Sequence, residues 1–274
     1  MYKQVEKSIV ENKLKIYRCN LPQHHDVFLE MVDIWEERGF VETEYVEGHV
    51  HWADKEKTFL LWHWPRVDEP WKQVPPFRVG LFGNVVPDHP QCKPWTFFAR
   101  SPRRLDKISK SDLPSYDERS ITSIFMGKVE NQIQAAGRNN YDWSNGIEDF
   151  YMSQGSPGSY KYTKEQYLER LSQAKFGLTL PGYGPKCNRD IELMGVGTVP
   201  IVAPGCDVDR YHEPWIENVH YIRVERPEDI QDKVSSISKS QWKEMHYECK
   251  MWYDRNSSPE GSFNLTKTLI EKYK

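Results

Sequence analysis

A loop rich in glycine and proline, followed by charged residues at short spacing, is the part of the sequence best suited to chemistry. It contains Gly182, Tyr183 and Lys186, and Asn188 is the predicted N-cap of the helix that follows. The N–H groups at the start of a helix and its positive dipole end attract anions, and Lys186 and Arg189 add charge there. We therefore expect this stretch to bind a diphosphate.

Further residues would complete a nucleotide site around this loop. Glu192 lies one turn along the predicted helix, where its carboxylate could accept hydrogen bonds from ribose hydroxyls. Tyr183 could stack on the base or line a sugar pocket. Lys128 follows a predicted strand over 121–126, and Arg138 lies further along, so both are candidate phosphate ligands.

Strands and helices alternate through the second half of the chain, a pattern typical of a parallel sheet. Thr163 is the predicted N-cap of the helix before the loop. The pattern predicts strands over 121–126, 176–180, 199–203 and 221–224, helices over 163–174 and 188–196, and further helices from 227 and 240.

The first half begins with a strand, a loop and a helix that ends at Gly39. Residues 100–119 form a polar stretch without apolar periodicity, which we interpret as the crossover between two lobes. The predicted elements before it are a strand over 13–19, a helix over 24–38 and strands over 40–52, 58–64 and 78–86.

The stretch over 176–204 resembles the exostosin-type glycosyltransferases, whose nucleotide-binding half carries an Arg, an acidic residue, a pair of small residues and a Pro-Ile/Val strand. Here these are Arg189, Glu192, the residues 195–197 and the residues 200–202. The resemblance covers the last 150 or so residues well and the first 115 poorly. Size and a Trp-rich first half make the chain most similar to short exostosin-like enzymes of large algal viruses, some of which add xylose.

This resemblance implies an α/β, GT-B-like fold of two Rossmann-like lobes with a cleft between them. Residues 1–115 would bind the acceptor, residues 116–255 the nucleotide-sugar donor, and a C-terminal helix within 256–274 would return toward the first lobe. The implied reaction is inverting transfer of a sugar, such as xylose, from a UDP-sugar to a hydroxyl of an oligosaccharide or glycoprotein glycan. It would require neither a metal nor another cofactor.

An inverting transfer needs a base that takes the proton from the acceptor hydroxyl. His25 beside Asp26, in the first strand-to-helix loop, is the pair we favour. The alternatives later in the first half are His49, His51, Asp54, Asp68 and Glu69.

Two other interpretations remain open. Asp207 and Asp209 match the Asp-x-Asp pattern by which GT-A glycosyltransferases hold a divalent metal, although they follow the Arg/Glu helix. A glycan-binding protein that keeps the fold without turnover is the second, and it would be favoured if no carboxylate or His of the first lobe faces the donor. Six of the ten Trp residues fall in the first 95 positions. Those rings could stack on sugars or pack a core that is poor in Leu and Ile.

Composition limits the classes of partner. The formal net charge is −3 with intermixed signs, which argues against nucleic acid. No apolar run has the length of a membrane span or a signal peptide, so we expect a cytoplasmic protein, in the host cytoplasm if it is viral. The five Cys residues show no C-x-x-C spacing and are expected to be reduced thiols.

Overall fold

Parallel strand pairing runs through the whole described part of the protein. The computed structural model describes residues 13–19, 26–46, 59–62, 78–155 and 160–273. Every strand pairing among these residues is parallel, in sheets of two, three and five strands. The fold class predicted from the sequence, α/β with parallel sheets, is therefore confirmed.

The first half contains the two smaller sheets, β1-β2 and β3-β4-β5. Gly39, with φ +72°, ends the first helix as predicted, since that backbone conformation favours glycine. The elements are β1 (Leu14–Cys19), α1 (Asp26–Glu37), β2 (Val41–Val46), β3 (Phe59–Trp62), β4 (Val79–Phe82) and β5 (Cys92–Pro94).

One apolar core joins the two small sheets. Trp35 of α1, Leu81 of β4, and Trp95 and Phe98 of the following segment are buried together. Phe98 packs edge-on against the rings of Trp35 and Trp95. Aromatic side chains thus supply the apolar area that Leu and Ile supply in other cores, and both Trp residues serve packing.

The second half forms the five-stranded sheet, in the order β10-β9-β8-β6-β7. Its elements are α2 (Pro102–Ser109), β6 (Ile121–Val129), α3 (Gln132–Arg138), β7 (Asp149–Gln154), α4 (Lys164–Ser172), β8 (Ala174–Thr179), α5 (Asn188–Gly195), β9 (Val199–Val202), β10 (Ile222–Arg223), α6 (Asp229–Ser236), α7 (Lys239–Asn256) and α8 (Pro259–Tyr273), with 3₁₀ turns at Trp143–Gly146 and Val208–Arg210.

Each face of this sheet is covered by helices. Helices α2, α4, α5 and α7 contribute to the core on one face, and α6 and the start of α7 to the core on the other. The chain leaves β6 toward β7 on one side and returns to β8 on the other, so the order of strands reverses between β6 and β8. In open parallel sheets, ligands bind outside the carboxyl ends of the strands at such a reversal.

The last helix, α8, packs on the core of the first half. The indole N–H of Trp35 donates to the carbonyl of Pro259 at 2.7 Å, and that of Trp95 donates to the hydroxyl of Thr266 at 2.9 Å. Phe263 stacks on Phe40 with ring centroids 4.8 Å apart. The C-terminal segment therefore closes the core that the first half begins.

Of the two helix N-caps predicted from the sequence, one is confirmed and one is wrong. Thr163 is the N-cap of α4 as predicted, in a capping box with Gln166. Cys187, not Asn188, is the N-cap of α5, so the prediction for Asn188 is wrong by one residue. The polar stretch 100–119 contains the helix α2, which apolar periodicity missed because few of its residues are apolar.

The described residues contain no helix with both the length and the apolar composition that crossing a membrane requires.

We expect Leu269→Ala to destabilise the protein by about 2–5 kcal/mol, because it removes a fully buried side chain from the core that α8 shares with the first half. Urea unfolding at equilibrium measures this change. Thr268→Ala, at the neighbouring exposed position of α8, serves as the control and should change stability by less than about 0.5 kcal/mol. Equal effects of the two substitutions would contradict the packing of α8.

Candidate functional site at the strand reversal

The candidate site lies at the carboxyl ends of β6 and β8. Gly127 is near the end of β6, and Pro181 and Gly182 follow β8 after one intervening residue, Leu180. A Cβ atom at Gly182 would lie 2.7 Å from the sulfur of Cys187, so only glycine allows the loop to close against the start of α5. This tight loop brings the first turn of α5 to the strand reversal.

Arg189, in the first turn of α5, extends across the end of β6. Its Nε and Nη2 both donate to the carbonyl of Met126, at 3.0 and 2.7 Å, and its guanidinium lies 4.2 Å from the ring centroid of Phe125. A Cβ atom at Gly127 would lie only 2.6 Å from Nη2. The absence of a side chain at Gly127 is therefore what lets the guanidinium pass.

One nitrogen of the Arg189 guanidinium donates no hydrogen bond to the described residues. Arg189 is 6% exposed, and its Nη1 is buried without a hydrogen-bond partner among the described residues. A buried guanidinium nitrogen that donates no hydrogen bond is costly, and a bound anion would remove that cost. Arg189 therefore has one donor that no described residue satisfies.

A second buried arginine joins the two sides of the reversal. Arg138 donates from Nε to the carbonyl of Pro181 at 2.9 Å, from Nη1 to the carbonyl of Lys128, and from Nη2 to the sulfur of Cys187 at 3.4 Å. Burial lowers the pKa of its guanidinium. Arg138 thus holds the ends of β6 and β8 together beside Arg189.

Asp190 is the acidic group at the start of α5. Its Oδ2 accepts the N–H of Cys187 at 2.7 Å, whereas its Oδ1 is buried without a partner in the described part of the chain. Burial raises the pKa of Asp190 to about 7. Because the carboxyl group is partly protonated near neutral pH, it opposes an anion at this helix end less than an exposed aspartate would.

Lys186 is buried rather than directed at solvent. Its ammonium donates to the carbonyls of Gly83, at 3.2 Å, and Arg210, at 2.6 Å, and lies 4.3 Å from the ring centroid of Tyr211. Burial lowers its pKa to about 7. The sequence suggested a phosphate ligand, but in this structure Lys186 joins the loop to the end of β4.

Asn188 and Glu192 also face the first half of the chain. The Nδ2 of Asn188 donates to the carbonyl of Phe98 at 2.7 Å. The carboxylate of Glu192 accepts the N–H of Arg100 at 2.9 Å and the hydroxyl of Tyr167 at 2.7 Å. Each oxygen of the residue expected to bind ribose thus accepts one hydrogen bond from the protein.

The remaining predicted residues are dispersed. Tyr183 is 38% exposed at the tip of the loop, and Lys128 forms an ion pair with Glu130. Asp26 is the first residue of α1, and His25 lies outside the described residues. The structure therefore brings Gly182 and Arg189 together with the backbone carbonyl, not the ammonium, of Lys128, and it connects Lys186, Asn188 and Glu192 to the first half.

The two aspartates of the competing metal motif have basic neighbours. Asp207 lies 3.6 Å from the Nε of Arg210, and Asp209 lies 3.7 Å from the Nη2 of Arg223. Among the residues that the structure describes, no group of three His, Cys, Asp or Glu side chains converges as metal ligands would.

Two further residues, Asp190 and Tyr167, belong to this region but were not predicted from the sequence. Asp190 occupies the third position of α5, where an acidic residue that accepts the N–H of the N-cap is a readable capping signal. Tyr167, which donates to Glu192, carries no such signal, because their contact depends on how α4 packs against α5. Local sequence therefore could have identified the first residue but not the second.

We expect Gly127→Ala to destabilise the fold by about 1–3 kcal/mol, because the new Cβ atom would collide with the guanidinium of Arg189. Urea unfolding of Gly127→Ala, of Arg189→Met and of the double variant measures the coupling energy between the two positions. Gly127→Ala should lower the free energy of unfolding by less in the Arg189→Met background, where the atom closest to the new Cβ is missing. Equal costs in both backgrounds would contradict the proposed crossing.

The buried ammonium of Lys186 should make stability depend on pH. Its pKa is about 7 in the folded protein and near 10.5 when exposed, so between these values the unfolded chain holds the proton more firmly. Stability should therefore rise as pH increases from 7 toward 10, and Lys186→Met should lack this rise. Denaturant unfolding at pH 7, 8 and 9 tests this, with the exposed Lys164→Met as a control that should parallel the wild type.

Comparisons with known proteins give structural neighbours only. No protein-family model matches the chain, and no curated protein matches it. Among solved structures, an α1,3-fucosyltransferase aligns with 14% identity over 99% of this chain and 96% of that chain, with a TM-score of 0.49. A glycosyltransferase from Rickettsia africae ESF-5 aligns with 10% identity over 96% of this chain and 99% of that chain, with a TM-score of 0.44. Trehalose-6-phosphate synthase OtsA aligns with 9% identity over 89% of this chain and 76% of that chain, also with a TM-score of 0.44.

Proposed function

We propose that this chain is a glycosyltransferase that moves a sugar from a nucleoside diphosphate donor to a hydroxyl group of a glycan. The observation that carries the proposal is the buried guanidinium of Arg189 at the strand reversal, with one nitrogen that has no partner in the described structure. A diphosphate supplies the acceptor oxygens that this nitrogen lacks. Strand reversals of parallel sheets are also where nucleotides bind.

The charges around Arg189 support an anionic ligand. Arg138 adds a second buried guanidinium, and the N–H groups of Asn188 and Arg189, the first two residues of α5, have no carbonyl partner within the helix. Asp190 is the opposing acid, and burial raises its pKa to about 7. The local balance of charge at neutral pH is therefore positive and favours a ligand with two phosphate groups.

The chemical step follows from these groups. The acceptor oxygen forms a bond to the anomeric carbon while the bond from that carbon to the diphosphate oxygen breaks. Negative charge accumulates on the leaving diphosphate, where Arg189 and the start of α5 stabilise it. We propose that these positive groups serve in place of a divalent metal, and that the donor is a UDP-sugar, with xylose as the sugar suggested by the exostosin-like resemblance.

The acceptor proton needs a base in an inverting reaction. We propose His25 with Asp26, and the fact that β1 ends at Cys19 and α1 begins at Asp26 is consistent with a base at the carboxyl edge of the first half. In this proposal the acceptor glycan binds to the first lobe and the donor to the second. The protein acts in the cytoplasm.

We expect Arg189→Lys to weaken nucleotide binding at least about tenfold, because lysine keeps the charge but loses the planar set of donors. Calorimetric titration with UDP and GDP, followed by a panel of UDP- and GDP-sugars read by donor hydrolysis, measures the effect. Arg103→Lys, at an exposed ion pair with Glu37, is the control and should leave the Kd unchanged.

The same panel distinguishes the competing functions. Turnover that survives EDTA supports the metal-independent reaction, whereas turnover that EDTA and Asp207→Asn both abolish would favour the metal-dependent alternative. Nucleotide-independent binding of glycans without turnover would favour a glycan-binding protein. Wild-type protein that binds no nucleotide would overturn the proposed function.

A further inference from the structure

Asn84 connects the two halves of the molecule at the donor loop, residues 181–187. It lies just after β4 and is 1% exposed. Its Nδ2 donates to the carbonyl of Lys186 at 3.0 Å, and its Oδ1 accepts the N–H of the same residue at 3.3 Å. A single side chain thus satisfies both backbone groups of a residue 102 positions away.

Lys186 and its neighbour Pro185 make further hydrogen bonds to segments outside the loop. The ammonium of Lys186 donates to the carbonyl of Gly83, which precedes Asn84, and to the carbonyl of Arg210 in the segment after β9. The N–H of Asp207 donates to the carbonyl of Pro185 at 3.0 Å. The donor loop is therefore fixed between the end of β4 and the segment after β9.

We propose that Asn84 is a positioning residue for nucleotide binding, acting through the backbone of Lys186. The loop leads directly into Cys187, the N-cap of α5, and Arg189 is two residues further on. Holding Lys186 in place therefore holds the start of α5 and the guanidinium at the strand reversal. The inference rests on the proposed function, and it adds that a residue of the acceptor half controls affinity for the donor.

The chemistry of the side chain accounts for asparagine at this position. The carboxamide presents one donor and one acceptor in a plane, which matches the N–H and C=O of one residue. Aspartate would place an acceptor against the carbonyl of Lys186, and an apolar side chain would leave both buried backbone groups without partners. Of the ordinary side chains of this size, only that of asparagine meets both requirements.

Two measurements on the full-length protein test the proposal. Hydrogen–deuterium exchange of peptides covering 181–187 reports the loop without any ligand, and calorimetric titration with UDP reports binding. For Asn84→Ala we expect exchange in these peptides to become about tenfold faster and the Kd for UDP to rise about five- to tenfold, since two buried hydrogen bonds are lost.

Asn256→Ala is the matched control. Asn256 is 3% exposed, and its Nδ2 donates to the carboxylate of Glu213 and the carbonyl of Trp252, neither of which belongs to the donor loop. It should lower the melting temperature as Asn84→Ala does, yet leave exchange over 181–187 and the Kd for UDP unchanged. If Asn84→Ala does not fold, Asn84→Ser, which keeps one hydroxyl as donor or acceptor, gives the same comparison with a smaller change.

The outcomes separate this proposal from the proposed function. Unchanged exchange over 181–187 in Asn84→Ala would overturn the connection itself. Faster exchange with an unchanged Kd, or an equal loss of affinity in Asn256→Ala, would overturn the positioning role. If the wild type binds neither UDP nor GDP, the proposed function fails and the role in binding fails with it, while the exchange result still decides whether Asn84 fixes the loop.

Discussion

A buried polar group must find a hydrogen-bond partner, and the polar side chains of residues 186–192 find theirs largely in the backbone of the first half. The ammonium of Lys186 reaches Gly83, the amide of Asn188 reaches Phe98, and the carboxylate of Glu192 reaches the N–H of Arg100. Each contact joins parts of the chain that are about 90 to 100 residues apart. The position of α5, and of everything its first turn carries, is therefore set by both halves together.

Arg189, in the same first turn of α5, points toward β6 of the second half instead of toward the first half. Its guanidinium crosses the end of β6 above Gly127 and rests on the ring of Phe125, so it is held by a carbonyl and an aromatic face instead of a carboxylate. Pairing with a fully ionised acid would neutralise the charge that a diphosphate needs. Asp190 is the nearby acid, and because burial raises its pKa to about 7, its charge is reduced where the ligand would bind.

The sequence predicted what depends on local pattern. The strand β6, the N-cap Thr163 and the glycine loop before α5 were all readable, because apolar runs, capping residues and glycines carry their own signals. The direction of each charged side chain was not readable. A lysine beside a glycine loop suggests a phosphate ligand, yet Lys186 lies against Tyr211 and two carbonyls from distant segments. The role of Asn84 could not be predicted for the same reason, because its partner, Lys186, is remote in sequence.

The contrast between Arg189 and Glu192 bears on how a nucleotide would bind. Each oxygen of Glu192 accepts one hydrogen bond, from the N–H of Arg100 or from the hydroxyl of Tyr167, and the residue is 4% exposed. A carboxylate oxygen can accept more than one hydrogen bond, so a ribose hydroxyl would have to compete for space rather than for lone pairs. Arg189 has a buried nitrogen without a partner among the described residues, so a phosphate oxygen that reached it would gain a donor that no described residue uses. A nucleotide that used both residues would therefore have to enter beside the contact of α5 with the segment around Arg100, which would couple nucleoside binding to the arrangement of the two halves.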